Sequence, residues 1–242
     1  MRMAMFKKIA VCVSASALLT SFSATMASAA STSDDNAKVT ASSYAAYTKS
    51  LTKADQAMIA AKEAACKKLA ANKTQTGQAA TLTRLKNFTI YMQEEDNYCG
   101  PACVKSALKY LAGSSPSQTT IHKAINMDIT RIPAYVNARQ SKNGYVLKKL
   151  SSNNSTRTAD LKERIGYDIN GHKAPVFLRI DGTSSSNWYY ATAGHCILAT
   201  GIYTDGSKIQ IADPLGNRLP GCPYFYIKDV SVVARFTTHL VW

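Results

Sequence analysis

The strongest constraint on the fold is a change of pattern near Ala174. Between Cys99 and Ile165 apolar residues recur at helical spacing, whereas beyond Ala174 short apolar runs are separated by turn residues. Ala174-Pro175-Val176-Phe177-Leu178-Arg179-Ile180 reads as one strand and the run from His195 to Tyr203 as another. Thr204-Asp205-Gly206-Ser207 then leads into Lys208 to Ala212, and Asp-Gly between two β-rich runs is a strong hairpin signal. Residues 223–228 and 230–236 are expected to complete the sheet. Helices first and antiparallel strands afterwards predict an α+β fold with a cleft between the halves.

Within the helical half one stretch carries chemistry. Phe88 to Met92 predicts a short strand, followed by a polar loop from Gln93 to Tyr98 and then Cys99-Gly100-Pro101-Ala102. Proline near a first helical position gives up no needed N–H, and Val104, Ala107, Leu108 and Leu111 then mark one buried helical face. The helix therefore starts at or just after Cys99. A thiol placed there meets unpaired backbone N–H groups and the positive end of the helix dipole, which favour thiolate. Gln93, six residues upstream, can return its amide to the sulfur and donate, with the Cys99 N–H, to an oxyanion.

A thiolate needs a base, and the histidines are His122, His172, His195 and His239. His195 opens a strand, and Asp213-Pro214 ends the next one. The intervening hairpin delivers both to the same open end, a few residues out of register. Asp213 can then orient the imidazole while its other nitrogen faces Cys99. His122 is expected on a solvated or half-buried helix face, His172 in a loop, and His239 in solvent near the C-terminus.

Gln, five intervening residues, Cys-Gly-Pro-Ala at a helix start, Gly-His opening a strand and Asp-Pro ending the next together resemble the bacteriocin-processing, double-glycine-leader type of cysteine peptidase and its stand-alone relatives. The resemblance spans roughly Leu85 to Trp242. It implies a papain-like fold with Cys99 as nucleophile, His195 as base, Asp213 as its orienter and Gln93 as oxyanion donor. Family members with known substrates cut after a Gly-Gly leader and are usually joined to a membrane transporter. No transporter accompanies these residues, so leader specificity is not carried over.

The first residues read differently. Arg2, Lys7 and Lys8 precede an apolar run from Ile9 to about Phe22, and Ala27-Ser28-Ala29 has the small-residue pattern of a signal-peptidase site. Residues 1–29 are thus expected to be a secretory signal. Cys12 lies within the apolar run and lacks the surroundings of a lipid-modified cysteine. Loss of this segment removes three cations and no acids, lowering the net charge from +14 to +11. So basic a protein suits anionic wall polymers or acidic head groups, and a secreted or wall-associated location. Its lysines are scattered, which excludes a specific nucleic-acid module. Five cysteines remain, Cys66, Cys99, Cys103, Cys196 and Cys222, which in an oxidising exterior permits up to two bridges with Cys99 free, or buried thiols lining the site.

Residues 30–84 form a helical N-terminal segment or pro-region. Residues 30–40 look unstructured, Ser42 to Leu69 is Ala-rich and helical with a thin stripe of Leu51, Met58, Ile59, Ala65 and Leu69, and Asn72 to Gly77 is a linker. The peptidase-like domain occupies 85–242, expected as a monomer. Further helices are expected over Gln118 to Met127, Ile132 to Ala138 and Asp160 to Ile165, with residues 151–158 as a loop. Glu94, Glu95 and Asp96 make a solvated loop or meet a substrate ammonium, and Trp188 or Tyr189 covers the core edge or walls the cleft. No His-x-x-x-His, Cys-x-x-Cys or phosphate-binding glycine motif occurs, so no metal or cofactor is expected. The favoured reading is a secreted cysteine peptidase acting on peptide or protein. An amidase or acyl-transfer enzyme on cell-wall peptides, or a non-catalytic peptide-binding module, are the alternatives.

Overall fold

The computed structural model describes residues 39–71 and 79–242. The expected signal segment, Cys12, all but the last two residues of 30–40, and the linker from Asn72 to Gly77 lie outside the described residues. The described chain holds α1 (Ala41–Ser50), α2 (Lys53–Ala71), β1 (Leu82–Arg84), α3 (Cys99–Ala112), α4 (Gln118–Ile125), α5 (Ile132–Asn137), β2 (Leu147–Lys149) and α6 (Asn154–Tyr167). A wide turn at Asp168–His172 leads on to β3 (Val176–Ile180), β4 (His195–Tyr203), β5 (Lys208–Ala212), β6 (Phe225–Asp229), α7 (Val230–Phe236) and β7 (Thr237–Val241).

The strands form one antiparallel sheet in the order β2-β7-β3-β4-β5-β6, with β1 pairing the far part of β4. Every residue of β3 is buried, because both faces are covered. Leu178, Ile180, Ile197 and Ala199 point into one core with Leu161, Ile165, Val233 and Ala234 from α6 and α7. Phe177, Cys196 and Leu198 point into the other with Cys103, Ala107, Leu108 and Ile121 from α3 and α4. The expected hairpin forms, with Leu198 opposite Ala212 and Ile202 opposite Ile209.

Several expectations needed correction. Phe88 to Met92 is not a strand, because side chains take its backbone groups: the Tyr91 N–H donates to Ser106 Oγ at 2.9 Å, and Gln118 Nε2 donates to the Met92 carbonyl at 2.7 Å. Residues 230–236 are helix, since Val230, Val233 and Ala234 fit the helical period despite their β-branched composition. The last strand is instead Thr237–Val241, which lies between β2 and β3 and takes His239 into the interior with 5% of its surface exposed. Residues 151–158 mostly belong to α6, which Asn153 caps by accepting from the Thr156 N–H at 3.0 Å. His172 closes the wide turn after α6.

The N-terminal helical stretch divides at Thr52. Thr52 and Asp55 bond reciprocally, the Asp55 N–H to Thr52 Oγ1 at 3.1 Å and the Thr52 N–H to Asp55 Oδ2 at 2.9 Å, which starts α2. Whereas α1 buries no residue, α2 buries Lys62 and Cys66. Lys62 Nζ reaches the Asn143 side chain and the Gly144 carbonyl at 3.0 Å each and Asp168 at 3.2 Å, beneath the Trp242 ring at 4.6 Å.

Candidate active site

The dominant helix α3 buries ten of its residues, and its first turn faces the ends of β4 and β5. Tyr98 precedes it without a side-chain cap, so the N–H groups of Cys99 and Gly100 have no intrahelical acceptor. At the other end Gly113 adopts φ +77° and returns its N–H to the Lys109 carbonyl at 3.1 Å.

His195 Nε2 lies 2.9 Å from Asp213 Oδ1, which leaves Nδ1 for the sulfur of Cys99. Asp213 is fully buried and saturated with donors. Its Oδ1 also accepts from the Leu215 N–H at 2.9 Å, and its Oδ2 accepts from the hydroxyls of Tyr190 at 2.5 Å and Tyr226 at 2.7 Å. Burial pushes the Asp213 carboxyl up, but the His195 charge and these hydrogen bonds outweigh it and hold the group below its ordinary range. Burial alone would discharge His195; Asp213 and the Cys99 sulfur instead raise it to about 10.

The same surroundings separate the cysteines. Burial raises the Cys99 thiol, yet its hydrogen bond to His195 and the imidazolium charge bring it below the ordinary thiol value. One turn along α3, Cys103 donates to the Cys196 carbonyl at 3.3 Å, and burial drives its thiol well upward. Burial also pushes Cys66 to about 11 and Cys222 to about 12. All five described cysteines are free and buried, so neither permitted bridge forms.

Gln93 is buried, but its Nε2 donates to the carbonyls of Glu95 at 3.1 Å and Asp96 at 2.8 Å, while its Oε1 has no partner among the described residues. Its backbone N–H donates to the Pro214 carbonyl at 3.0 Å, next to Asp213. The acidic loop is solvated and paired, Glu94 with Lys105 at 3.1 Å and Asp96 with Arg218 at 2.6 Å. Trp188 is buried against Tyr226 and Phe236, whereas Tyr189 is exposed over Tyr226. The remaining histidines lie elsewhere: His122 stacks on Tyr98, His172 lies by Tyr167 and His239 by Tyr44. Cys99 retains 7% and His195 3% of its surface, so the pair sits in a nearly closed seam rather than an open groove.

Sequence reasoning missed the two tyrosines on Asp213. Only Asp213 itself offered a signal, since a buried carboxylate requires donors beyond its histidine.

The sequence profile of the Peptidase_C39-like family matches residues 85–223. The chain belongs to that family. This C39-like chain also matches solved structures: a candidate C39-like peptidase from Bacillus anthracis (14% identity, 66% of this chain and 96% of that one, TM-score 0.44), a double-glycine-motif protease of an AMS/PCAT transporter in complex with its leader peptide (15%, 68% and 96%, 0.42), and xylellain, a cysteine protease of Xylella fastidiosa (12%, 67% and 86%, 0.44). No curated protein sequence matches it. Its fold is the papain-like α+β arrangement of the C39-like peptidases.

Proposed function

We propose that this C39-like protein is an exported cysteine peptidase that hydrolyses peptide bonds through Cys99, His195 and Asp213. The observation that carries this reading is the Asp213–His195 pair, which turns the ring toward the one thiol that its surroundings acidify.

The Cys99 thiolate attacks the scissile carbonyl, forming a C–S bond and a tetrahedral oxyanion. The N–H of Cys99, which has no intrahelical acceptor, donates to that oxyanion at the helix start. Gln93 joins it by exchanging one of its two loop carbonyls for the oxyanion, since catalytic hydrogen bonds commonly tighten only once substrate is bound. The His195 imidazolium gives its proton to the departing amine, leaving a thioester. Water, deprotonated by His195, then adds to the thioester and expels the Cys99 thiolate. Asp213 holds the ring for both transfers.

Export is supported by the charged start, the apolar run and the Ala27-Ser28-Ala29 site. Mass spectrometry of the released protein gives its first residue, and a mature protein retaining Arg2 would refute it.

The test of the peptidase reading is alkylation by a peptidyl chloromethyl ketone between pH 5 and 9. Cys99→Ala abolishes labelling and Cys103→Ala retains it. His195→Ala suppresses labelling near neutral pH and restores it only as the pH passes an unassisted thiol's value, about 8.5. Equal labelling of both cysteine variants would refute the assignment.

A further inference from the structure

Where β2, β3 and β7 meet the chain before α1 lies a basic pocket of about 280 Å³. Its walls include Val39, Lys149, Arg157, Arg179, Asp181 and His239. Arg179 and His239 are the buried members, with 4% and 5% of their surfaces exposed; Arg179 Nε has no hydrogen-bond partner among the described residues, whereas His239 Nδ1 donates to the Thr238 hydroxyl oxygen at 3.1 Å and leaves Nε2 as a lone-pair nitrogen. A buried donor on a charged group without an acceptor is costly, and native proteins rarely leave one.

Among the described residues the pocket is short of negative charge. Its one carboxylate, Asp181, accepts from Arg179 Nη2 at 3.1 Å and from the Thr238 hydroxyl at 2.9 Å. Arg157 is occupied with the carbonyls of Ser151 and Arg235, and Lys149 stands exposed at the rim. Three cations therefore face a single anion. Burial and the charges of Arg179 and Lys149 hold the His239 ring down to about 4, so it is neutral and adds no further cation.

Its position ties it to the chemistry. Arg179 pairs with Cys196 across β3 and β4, and its Nη2 packs so closely on Gly194 that a Cβ there would lie 2.3 Å away. Gly194 adjoins His195, and the Arg179 charge is among the influences that favour the Cys99 thiolate. Arg179 is thus the residue through which the pocket adjoins the strand that carries His195.

We propose that this pocket is a substrate subsite that binds a carboxylate of the peptide, held by Arg179 with Lys149 at the rim. The proposal rests on the peptidase reading above. An acidic side chain and a free C-terminal carboxylate offer the same chemistry to the arginine fork.

Three acetylated tripeptides distinguish these sources: Ala-Glu-Ala amide, Ala-Gln-Ala amide, and Ala-Gln-Ala with a free C-terminal carboxylate. Each is titrated into the Cys99→Ala protein while the Arg179 Nε–H and His239 ring resonances are followed by NMR. One or both carboxylate peptides produce a saturable shift, and Ala-Gln-Ala amide produces none. Whichever carboxylate peptide binds more tightly identifies the source. Arg179→Gln weakens that binding about tenfold, the worth of one charge-assisted hydrogen bond. Lys149→Gln, at an exposed position, weakens it about threefold and serves if the buried substitution does not fold. Equal shifts from all three peptides, no shift from any, or unchanged affinity in the Lys149 variant overturns the proposal. Such a failure with Cys99 still alkylated removes the subsite alone. Carboxylate binding without Cys99 alkylation removes the peptidase reading and with it the substrate claim.

Discussion

Tyr226→Phe tests whether the charge on Asp213 is maintained by its phenols. The substitution deletes one hydroxyl and leaves Oδ2 of a fully buried carboxylate with Tyr190 as its remaining side-chain donor. A hydrogen bond to a charged group contributes about 1.5–3 kcal/mol, so a loss of about 2 kcal/mol is expected near neutral pH. The sign follows from Asp213 being held below its ordinary value in the folded state. A carboxyl depressed on folding adds stability above its unfolded pKa and loses it as the pH falls through its folded pKa. Removing a donor raises the folded pKa and so removes part of that stability. The deficit is therefore full at pH 7 and closes only as the pH falls through the folded pKa of Asp213, which lies below the ordinary carboxylate value. Urea denaturation of Cys99→Ala with and without Tyr226→Phe, at intervals from pH 7 to pH 3, measures it. A deficit of the same size at both ends would mean lost packing rather than lost charge stabilisation, and no deficit at pH 7 would refute the reasoning outright.

Lys62→Met leaves Asp168 charged and buried in a pocket shared with Asn143, and is expected to cost about 3–5 kcal/mol in urea denaturation. Burial already raises the Asp168 carboxyl, so that cost falls as the pH is lowered and the acid protonates. Limited proteolysis is expected to cut within Ala41 to Thr52, where α1 buries nothing, and to spare α2, whose removal would strand Asp168 in the same way. A first cut inside α2 would contradict that reading. Gly216→Ala brings a Cβ to 2.4 Å from the Tyr224 Cα, forcing backbone to move beside Asp213, and is expected to cost about 1–3 kcal/mol and to slow Cys99 alkylation.

The nearly closed seam around Cys99 bears on how substrate enters. The loop from Gln93 to Asp96 is fastened by Arg218, which reaches the Gln93 carbonyl at 3.3 Å and Asp96 at 2.6 Å. The exposed ion pair in that fastening contributes little; the backbone N–H bonds from Gln93 to Pro214 and from Glu94 to Gln118 hold the loop more firmly.

Local signals in the sequence determined the start of α3 at Cys99, the hairpin at Asp205-Gly206, and the delivery of His195 and Asp213 to one end of it. Helix starts and tight turns depend on a few neighbouring residues, and a hairpin brings its own two strands into register. They could be read without the fold. Tertiary structure alone decided that Tyr190 and Tyr226, 23 and 13 residues from Asp213, hold its second oxygen. It also decided that Gln118 takes the backbone of Met92 from a prospective strand, and that His239 is buried beside Arg179 rather than solvated. Val230 to Phe236 became a helix because its apolar face had a layer to pack on, against α6. In each case a buried polar group or apolar face found its partner far along the chain; the helical period of Val230, Val233 and Ala234 was present locally, but only the layer it packs on chose it over a strand.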